Sequence, residues 1–218
     1  MRKMEDEKYS AEMNYWNDRH QKEGRLGNDH YKSLMLALSG KPESFFDDLV
    51  VGDFGSGPRG SLEWMDNAKE RYCIDVLADE YRNLGTGSHK ASYVTSTERK
   101  IPLKTSTLDV LFSINAIDHA ADIDRMINEC FRILKPDGHM FFSINLDEPP
   151  SAAEPNTITR QDCQAWFFSR LYEVESAISN WKKDEDKYLN LREWAANGVE
   201  PPEYTGVWGV LWLRGKKR

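Results

Sequence analysis

A short apolar run that leads directly into a cluster of glycines is the feature that most constrains how this chain folds. The run Asp48–Asp53 continues into the loop Asp53–Gly60, which reads D-F-G-S-G-P-R-G. Such a run is typical of a buried parallel strand. Glycine lets the backbone turn sharply and approach a ligand without obstruction by a Cβ atom. The sequence therefore predicts a strand whose carboxyl end carries a ligand-binding loop.

Six further segments have the character of strands, and helical stretches separate them. The predicted strands are Arg71–Asp75, Ser92–Thr95, Asp109–Ile114, Met140–Asn145, Tyr172–Ile178 and Val207–Leu213. The clearest helix is Ile123–Leu134, ended by Pro136-Asp137-Gly138, and the capping-box-like Thr159–Asp162 predicts the start of another. Alternating strands and helices predict an α/β fold with a doubly wound, seven-stranded, mostly parallel sheet and helices on both faces.

The first 48 residues form a helical unit of their own. One face carries large apolar side chains at the spacing i, i+4, i+7, namely Tyr9, Met13 and Trp16. We therefore predict an N-terminal helical cap over residues 1–48 and a main domain over residues 49–218. A polar insertion, residues 180–205, is expected before the last strand.

Composition narrows the classes of partner. The chain has 218 residues and a net charge of −7, so nucleic acid is not an expected partner. No apolar run approaches the length of a membrane span, and the N-terminus has no apolar signal core, so no membrane partner is expected. Three scattered cysteines suggest buried thiols and a cytoplasmic location.

The glycine loop has two interpretations when it is taken by itself. Gly55–Gly60 is literally G-x-G-x-x-G, and Asp75 ends the next predicted strand at a spacing that also suits a nicotinamide dinucleotide site. A carboxylate at Asp53, two residues before the first glycine, suits an ammonium group better than a pyrophosphate. Pro58 and the lack of a clear helix after Gly60 also weaken a pyrophosphate site.

The motifs downstream of the loop make the pattern more specific. They are the loop D-x-G-x-G-P-x-G, the acid Asp75, the stretch from Ile101-Pro102 to Asp109-Val110, and the segment R-I-L-K-P-D-G at 132–138. With these, residues 48–146 resemble the class I methyltransferases that use S-adenosylmethionine, in particular the small-molecule, type 11-like branch. The resemblance implies a Rossmann-like sheet and S-adenosylmethionine as cofactor, with S-adenosylhomocysteine as product.

The same resemblance assigns residues to the cofactor. Asp53, Gly55, Ser56 and Gly57 would hold its methionine part, and Asp75 would bind the ribose hydroxyls. The other implied contacts are Val76, Thr97 and Glu98 at the adenine and Asn115 and Ala116 at the sulfonium. The adenine-side alignment departs from the family, because Ser96 stands where its usual aspartate would be and one extra residue follows.

Candidate catalytic residues follow the fourth predicted strand. Asp118 and His119 lie where a base would face the acceptor, although in this family the pair is often structural. Side chains of the N-terminal helices are candidates for the acceptor pocket, as are several aromatics. These are Tyr15, Trp16, His20 and His30, and then Trp166, Phe167, Phe168, Trp181 and Trp194.

Other chemistries lack their motifs. No N/D-P-P-Y motif of amino-methylating nucleic-acid enzymes follows strand four, no cysteine follows a proline, and no metal-ligand spacing is visible. We therefore expect methyl transfer to a small-molecule acceptor, with a sugar or another hydroxyl-bearing metabolite as the leading class. A homodimer is an open option. Two alternatives are a non-catalytic methyltransferase-like partner or sensor module and a nicotinamide oxidoreductase.

Overall fold

The computed structural model describes residues 2–151, 154–180, 191, 203–206 and 208–218. Within them, seven strands form one sheet in the order β3-β2-β1-β4-β5-β7-β6. The strands are β1 (Val50–Phe54), β2 (Glu70–Asp75), β3 (Ser92–Thr95), β4 (Leu108–Ile114), β5 (Leu134–Leu146), β6 (Leu171–Asn180) and β7 (Gly209–Lys217). Strands β1 to β5 are parallel, and β7 runs antiparallel to both β5 and β6. The predicted fold class is confirmed.

One predicted boundary was wrong. The segment Pro136-Asp137-Gly138 was expected to separate a helix from the following strand, but β5 begins at Leu134 and includes it. Leu134 pairs with Leu108, the register then shifts, and His139 pairs with Val110. Asp137 has a φ of 60°. The strand therefore absorbs the Pro-Asp-Gly turn as an irregularity instead of starting after it.

Helices cover both faces of the sheet. The α-helices are α1 (Arg2–Glu23), α2 (Asp29–Ser39), α3 (Ile123–Ile133) and α4 (Arg160–Cys163), which continues as a π-helical turn. Buried side chains of α2 pack on one face and those of α3 on the other. Thr159 and Asp162 form the predicted capping box at the start of α4. Between β1 and β2, and between β2 and β3, the described chain makes turns and 3-10 helices instead of α-helices.

The N-terminal helix α1 lies beside the carboxyl ends of the strands. Its predicted apolar face is present, because Tyr9, Met13 and Trp16 pack against a small cluster that includes Leu77 and Tyr81. The division into a cap and a main domain at residues 48 and 49 stays a prediction. Residues 181–190 and 192–202 of the predicted insertion, with Trp181 and Trp194, lie outside the described residues.

The prediction of buried thiols has a structural counterpart. The three cysteines, Cys73, Cys130 and Cys163, are all buried and unbridged. Among the described helices, none combines the length and apolar character that a membrane crossing requires.

Candidate active site

A cavity of about 910 Å³ lies at the carboxyl ends of strands β1 to β4. The strand order reverses between the neighbouring strands β1 and β4. Open α/β sheets bind their ligands at the carboxyl ends of the strands, at such a reversal. The wall opposite the strands comes from α1 and α2. Cavities that hold small ligands typically measure about 300–1,000 Å³, so this one can hold a nucleoside-sized molecule together with a second small molecule.

The glycine loop after β1 brings backbone to the cavity at two glycine positions. Gly55 has a φ of +72°, and a Cβ atom placed on it would lie 2.1 Å from the Cβ of Ala116. Gly57 has a φ of +58°, and the ring of Trp16 lies against it. Both positions therefore require glycine, for conformation and for close packing. Ser56, between them, is buried and also lines the cavity.

Asp75 presents a buried carboxylate to the cavity at the end of β2. Its oxygens accept hydrogen bonds from the backbone N–H groups of Gly57 and Leu77, each at 3.0 Å. Burial raises the pKa of Asp75 to about 6, although these two N–H groups favour the charged form. Each oxygen keeps a second lone pair, so the carboxylate can still accept hydrogen bonds from ligand hydroxyl groups.

Asp53 lies beneath the loop instead of in the cavity wall. One carboxylate oxygen accepts a short hydrogen bond from Ser61, and the other is buried with no donor among the described residues. Burial raises the pKa of Asp53 to about 7, and the charge of Asp75 adds to the shift, while Ser61 opposes it. Asp53 does not line the cavity, so its side chain would not contact a ligand there directly.

The predicted adenine-side residues all line the cavity. Val76 belongs to the apolar cluster beneath α1. The hydroxyl of Thr97 accepts the N–H of Lys100 at 3.1 Å and so closes a tight turn. Glu98 accepts hydrogen bonds from Lys8 at 2.6 Å and Tyr9 at 2.7 Å. Its carboxylate therefore attaches α1 to the strand end.

The predicted sulfonium-side residues come directly after β4. Asn115 has a φ of 52°, and its N–H donates to the carbonyl of Ser143 at 3.0 Å. Both Asn115 and Ala116 line the cavity. The next residue, Ile117, does not line the cavity and is fully buried in the core.

His119 lies between two carboxylates. Its Nδ1 is 3.2 Å from Glu12 of α1, and its Nε2 is 3.3 Å from Glu154 in the segment after β5. Burial opposes the charged form of the ring, but these hydrogen bonds and the charge of Asp118 raise the pKa of His119 to about 10. The side chain is therefore an imidazolium near neutral pH, with both nitrogens acting as donors. As placed, it has no lone pair with which to take a proton.

Asp118, His119 and Glu154 also have the spacing of metal ligands, with donor atoms within 4.8 Å of one another. Metal binding requires a neutral imidazole, because a protonated nitrogen has no free lone pair. We interpret this group as an ion-pair cluster, since its histidine is held in the charged form.

Several residues that the sequence analysis did not single out line the cavity. They are Lys8, Glu12, Arg19 and Glu23 of α1, Arg59 of the glycine loop, Tyr31 and Leu34 of α2, and Glu154. The α1 residues follow helical spacing next to the apolar Tyr9–Trp16 face, which is the one signal that could have found them.

Only some of the other residues predicted for the acceptor pocket line the cavity. Tyr15, Trp16 and His30 line the cavity, whereas His20 does not. Phe167 is fully buried in the core and Trp166 packs against the same cluster, so neither walls the cavity. Phe168 is exposed.

Comparison with known proteins shows what this chain is similar to. Residues 52–142 match the family model described as "Methyltransferase domain". A malonyl-[acyl-carrier protein] O-methyltransferase of Enterobacter lignolyticus is 31% identical over 97 residues, which are 43% of this chain and 38% of that protein. A sterol 4-C-methyltransferase of Caenorhabditis elegans is 23% identical over 155 residues, 68% of this chain and 44% of that protein. The chain thus spans less than half the length of these two relatives.

A solved structure agrees in fold. An S-adenosylmethionine-dependent methyltransferase from Mesorhizobium loti superposes with a TM-score of 0.56 at 15% identity, covering 85% of this chain and 96% of that one. The sheet order, the cavity at its switch point and the glycine loop define a class I methyltransferase fold. With the match of residues 52–142 to the methyltransferase domain, they make the chain similar to the class I S-adenosylmethionine-dependent methyltransferases, the family that the sequence motifs resemble.

Proposed function

We propose that this chain binds S-adenosylmethionine in the cavity and transfers its methyl group to a small-molecule acceptor. The observation that carries the proposal is the pairing of a glycine loop with a buried carboxylate at the switch point of the sheet. Gly55 lines the cavity with backbone, since a Cβ there would clash with Ala116, and Asp75 presents its carboxylate to the same cavity. A nucleoside with a ribose diol and a zwitterionic tail matches both features.

Different residues would contact different parts of the cofactor. Asp75 accepts hydrogen bonds from the ribose hydroxyls, and Val76, Thr97 and Glu98 surround the base. Gly55, Ser56 and Gly57 border the methionine part, with Asp53 supporting the loop from below. Asn115 and Ala116 lie at the sulfonium.

Bound S-adenosylmethionine supplies an activated methyl group, which an acceptor atom takes by in-line displacement as the carbon–sulfur bond breaks. The chain then needs to position the two reactants and exclude water. The catalytic role expected for Asp118 and His119 stays a prediction. The ion pairs of His119 favour a donor and an electrostatic role over that of a base.

The acceptor is proposed only as a small molecule, with a hydroxyl-bearing metabolite as the leading class. The names of the two relatives differ in the acceptor atom, one an O- and the other a C-methyltransferase. We also propose a cytoplasmic location, which three unbridged cysteines support, and action as a monomer or homodimer without nucleic acid or membrane.

Isothermal titration with S-adenosylhomocysteine tests the cofactor proposal. Asp75→Asn replaces one acceptor oxygen by an amide, and we expect it to weaken binding about 10- to 100-fold. Asp79→Asn, at an exposed aspartate four residues later, is the matched control and should bind like the wild type. Absence of S-adenosylhomocysteine binding by the wild type would contradict the proposal. Fluorescence quenching by NADH in that case would favour the oxidoreductase alternative, and its absence the non-catalytic module.

A further inference from the structure

Two side chains of helix α1 lie opposite the proposed place of the sulfonium. Glu12 and Trp16 are four residues apart, so they share one face of the helix, and both line the cavity. The ring of Trp16 lies against Gly57 of the glycine loop. Glu12 contacts His119, whose backbone N–H donates to the carbonyl of Ala116 at 3.2 Å. The two side chains therefore contact both of the elements between which the sulfonium is proposed to lie.

Glu12 carries a negative charge that its neighbours share with another acid. Its Oε1 accepts a hydrogen bond from the indole N–H of Trp16 at 3.2 Å, and its Oε2 lies 3.2 Å from Nδ1 of His119. Burial opposes the charged form, but these contacts hold the pKa of Glu12 below its ordinary value. The same imidazolium also contacts Glu154, at 3.3 Å. Two carboxylates thus meet one cation, and one negative charge is left in excess at this wall of the cavity.

The charges of the cavity as a whole also favour a cation. Among the described residues that line it, the carboxylates outnumber the cations, with His119 counted among these, by six to four. Burial raises the pKa of Asp75, and the charge of Glu12 raises it further, so these two carboxylates act on each other across the cavity. A cation placed between them is attracted by both, whereas a neutral group gains nothing from their charge.

The substrate and the product of methyl transfer differ in charge at this place. S-adenosylmethionine carries a sulfonium cation there, and S-adenosylhomocysteine carries a neutral thioether. The rest of the two molecules is the same. A carboxylate beside the sulfur therefore adds affinity for the first and none for the second.

We propose that Glu12 is the residue by which this chain distinguishes the charged cofactor from its neutral product. Trp16 is a positioning residue, because its N–H orients the carboxylate of Glu12. His119 opposes the effect, since its imidazolium competes with the sulfonium for the same carboxylate. This inference rests on the proposed function, because it concerns the cofactor that the cavity is proposed to bind.

Calorimetric titration with three ligands near neutral pH tests the inference. The ligands are S-adenosylmethionine, S-adenosylhomocysteine and sinefungin, an unreactive analogue with an ammonium group in place of the methylated sulfur. Glu12→Gln should weaken binding of the two cationic ligands about tenfold and change the affinity for S-adenosylhomocysteine less than about twofold. Trp16→Phe keeps a ring but loses the N–H, and should weaken the cationic ligands about threefold relative to S-adenosylhomocysteine.

A variant with the opposite sign and a matched control complete the test. His119→Gln removes the competing cation, so it should strengthen the two cationic ligands about three- to tenfold relative to S-adenosylhomocysteine. Glu7→Gln, at an exposed glutamate of α1, should leave all three affinities unchanged.

The outcomes separate this inference from the proposed function. Binding of all three ligands by the wild type, with an unchanged ratio of affinities in Glu12→Gln, would overturn the inference and leave the proposed function intact. An equal loss for all three ligands in Glu12→Gln would also overturn it, because a purely structural role does not depend on ligand charge. Absence of binding of every ligand by the wild type would overturn both.

Discussion

The two walls of the cavity are held in place by different forces. The strand wall is backbone set by the β ladder, where Asp53 pairs with Cys73 on one side and Phe112 on the other. The helix wall is α1, held by ion pairs to Glu98, His119 and Arg59 in addition to the apolar contacts of its Tyr9–Trp16 face. A backbone wall cannot adapt to an added atom, whereas a wall of long side chains can move and re-form. Substitutions in the first should therefore act on the affinity for S-adenosylhomocysteine, whereas those in the second should leave it nearly unchanged.

The largest expected effect tests the rigidity of the strand wall. Gly55→Ala places a Cβ 2.1 Å from that of Ala116 at a φ of +72°. We expect S-adenosylhomocysteine binding to weaken more than 100-fold and the free energy of unfolding to fall by about 2–4 kcal/mol. Titration calorimetry and urea unfolding measure the two quantities.

Gly24→Ala is the control for Gly55→Ala. Gly24 has a φ of +69°, but no atom of the described residues lies within 4 Å of the position that an added methyl group would take. The substitution therefore carries the conformational cost alone, about 1 kcal/mol. Adding Ala116→Gly to Gly55→Ala should restore part of the affinity. Equal losses in Gly24→Ala and Gly55→Ala would show that the close approach to Ala116 is not the constraint.

A smaller effect, on stability, concerns the carboxylate beneath the strand wall. Because burial raises the pKa of Asp53 to about 7 from 3.8, the folded chain keeps a proton that the unfolded chain has already released. Stability from this group is complete below pH 3.8 and is lost as the pH rises through 7. Asp53→Asn mimics the protonated acid, so it should stabilise the fold at pH 8 by about 1–3 kcal/mol and have little effect at about pH 4.5. Urea unfolding at the two pH values measures this, and equal effects at both would contradict it.

The smallest effect is expected at the end of the helix wall. Arg59→Lys keeps the charge but loses the two-pronged contact with Glu23 and the bond to the carbonyl of Gly27. Amide protection near the end of α1 should fall about three- to tenfold, with the affinity for S-adenosylhomocysteine nearly unchanged. Arg82→Lys, at an exposed arginine, is the control. A large loss of affinity in Arg59→Lys would show that the helix wall, like the strand wall, contributes to the affinity for S-adenosylhomocysteine.

Local sequence signals were sufficient to predict several elements of the fold and residues of the strand wall. The predicted strand Ser92–Thr95 is β3 without change, and the helix predicted from Ile123 ends one residue earlier than expected. Gly55, Gly57, Asp75 and Asn115, which sequence motifs had singled out, all line the cavity. Such features are local because period, turn chemistry and glycine placement act within a few residues.

What the sequence determined by itself is the fold class, the resemblance to methyltransferases and the strand-side residues of the cavity, because these depend on short-range patterns. Only the tertiary structure decided that Glu98 binds Lys8 and that His119 binds Glu12, pairs separated by 90 and 107 residues. No local pattern encodes such a pairing, since it depends on which strand ends the sheet order brings beneath α1. The same packing turned His119 from a candidate base into an imidazolium held between two carboxylates.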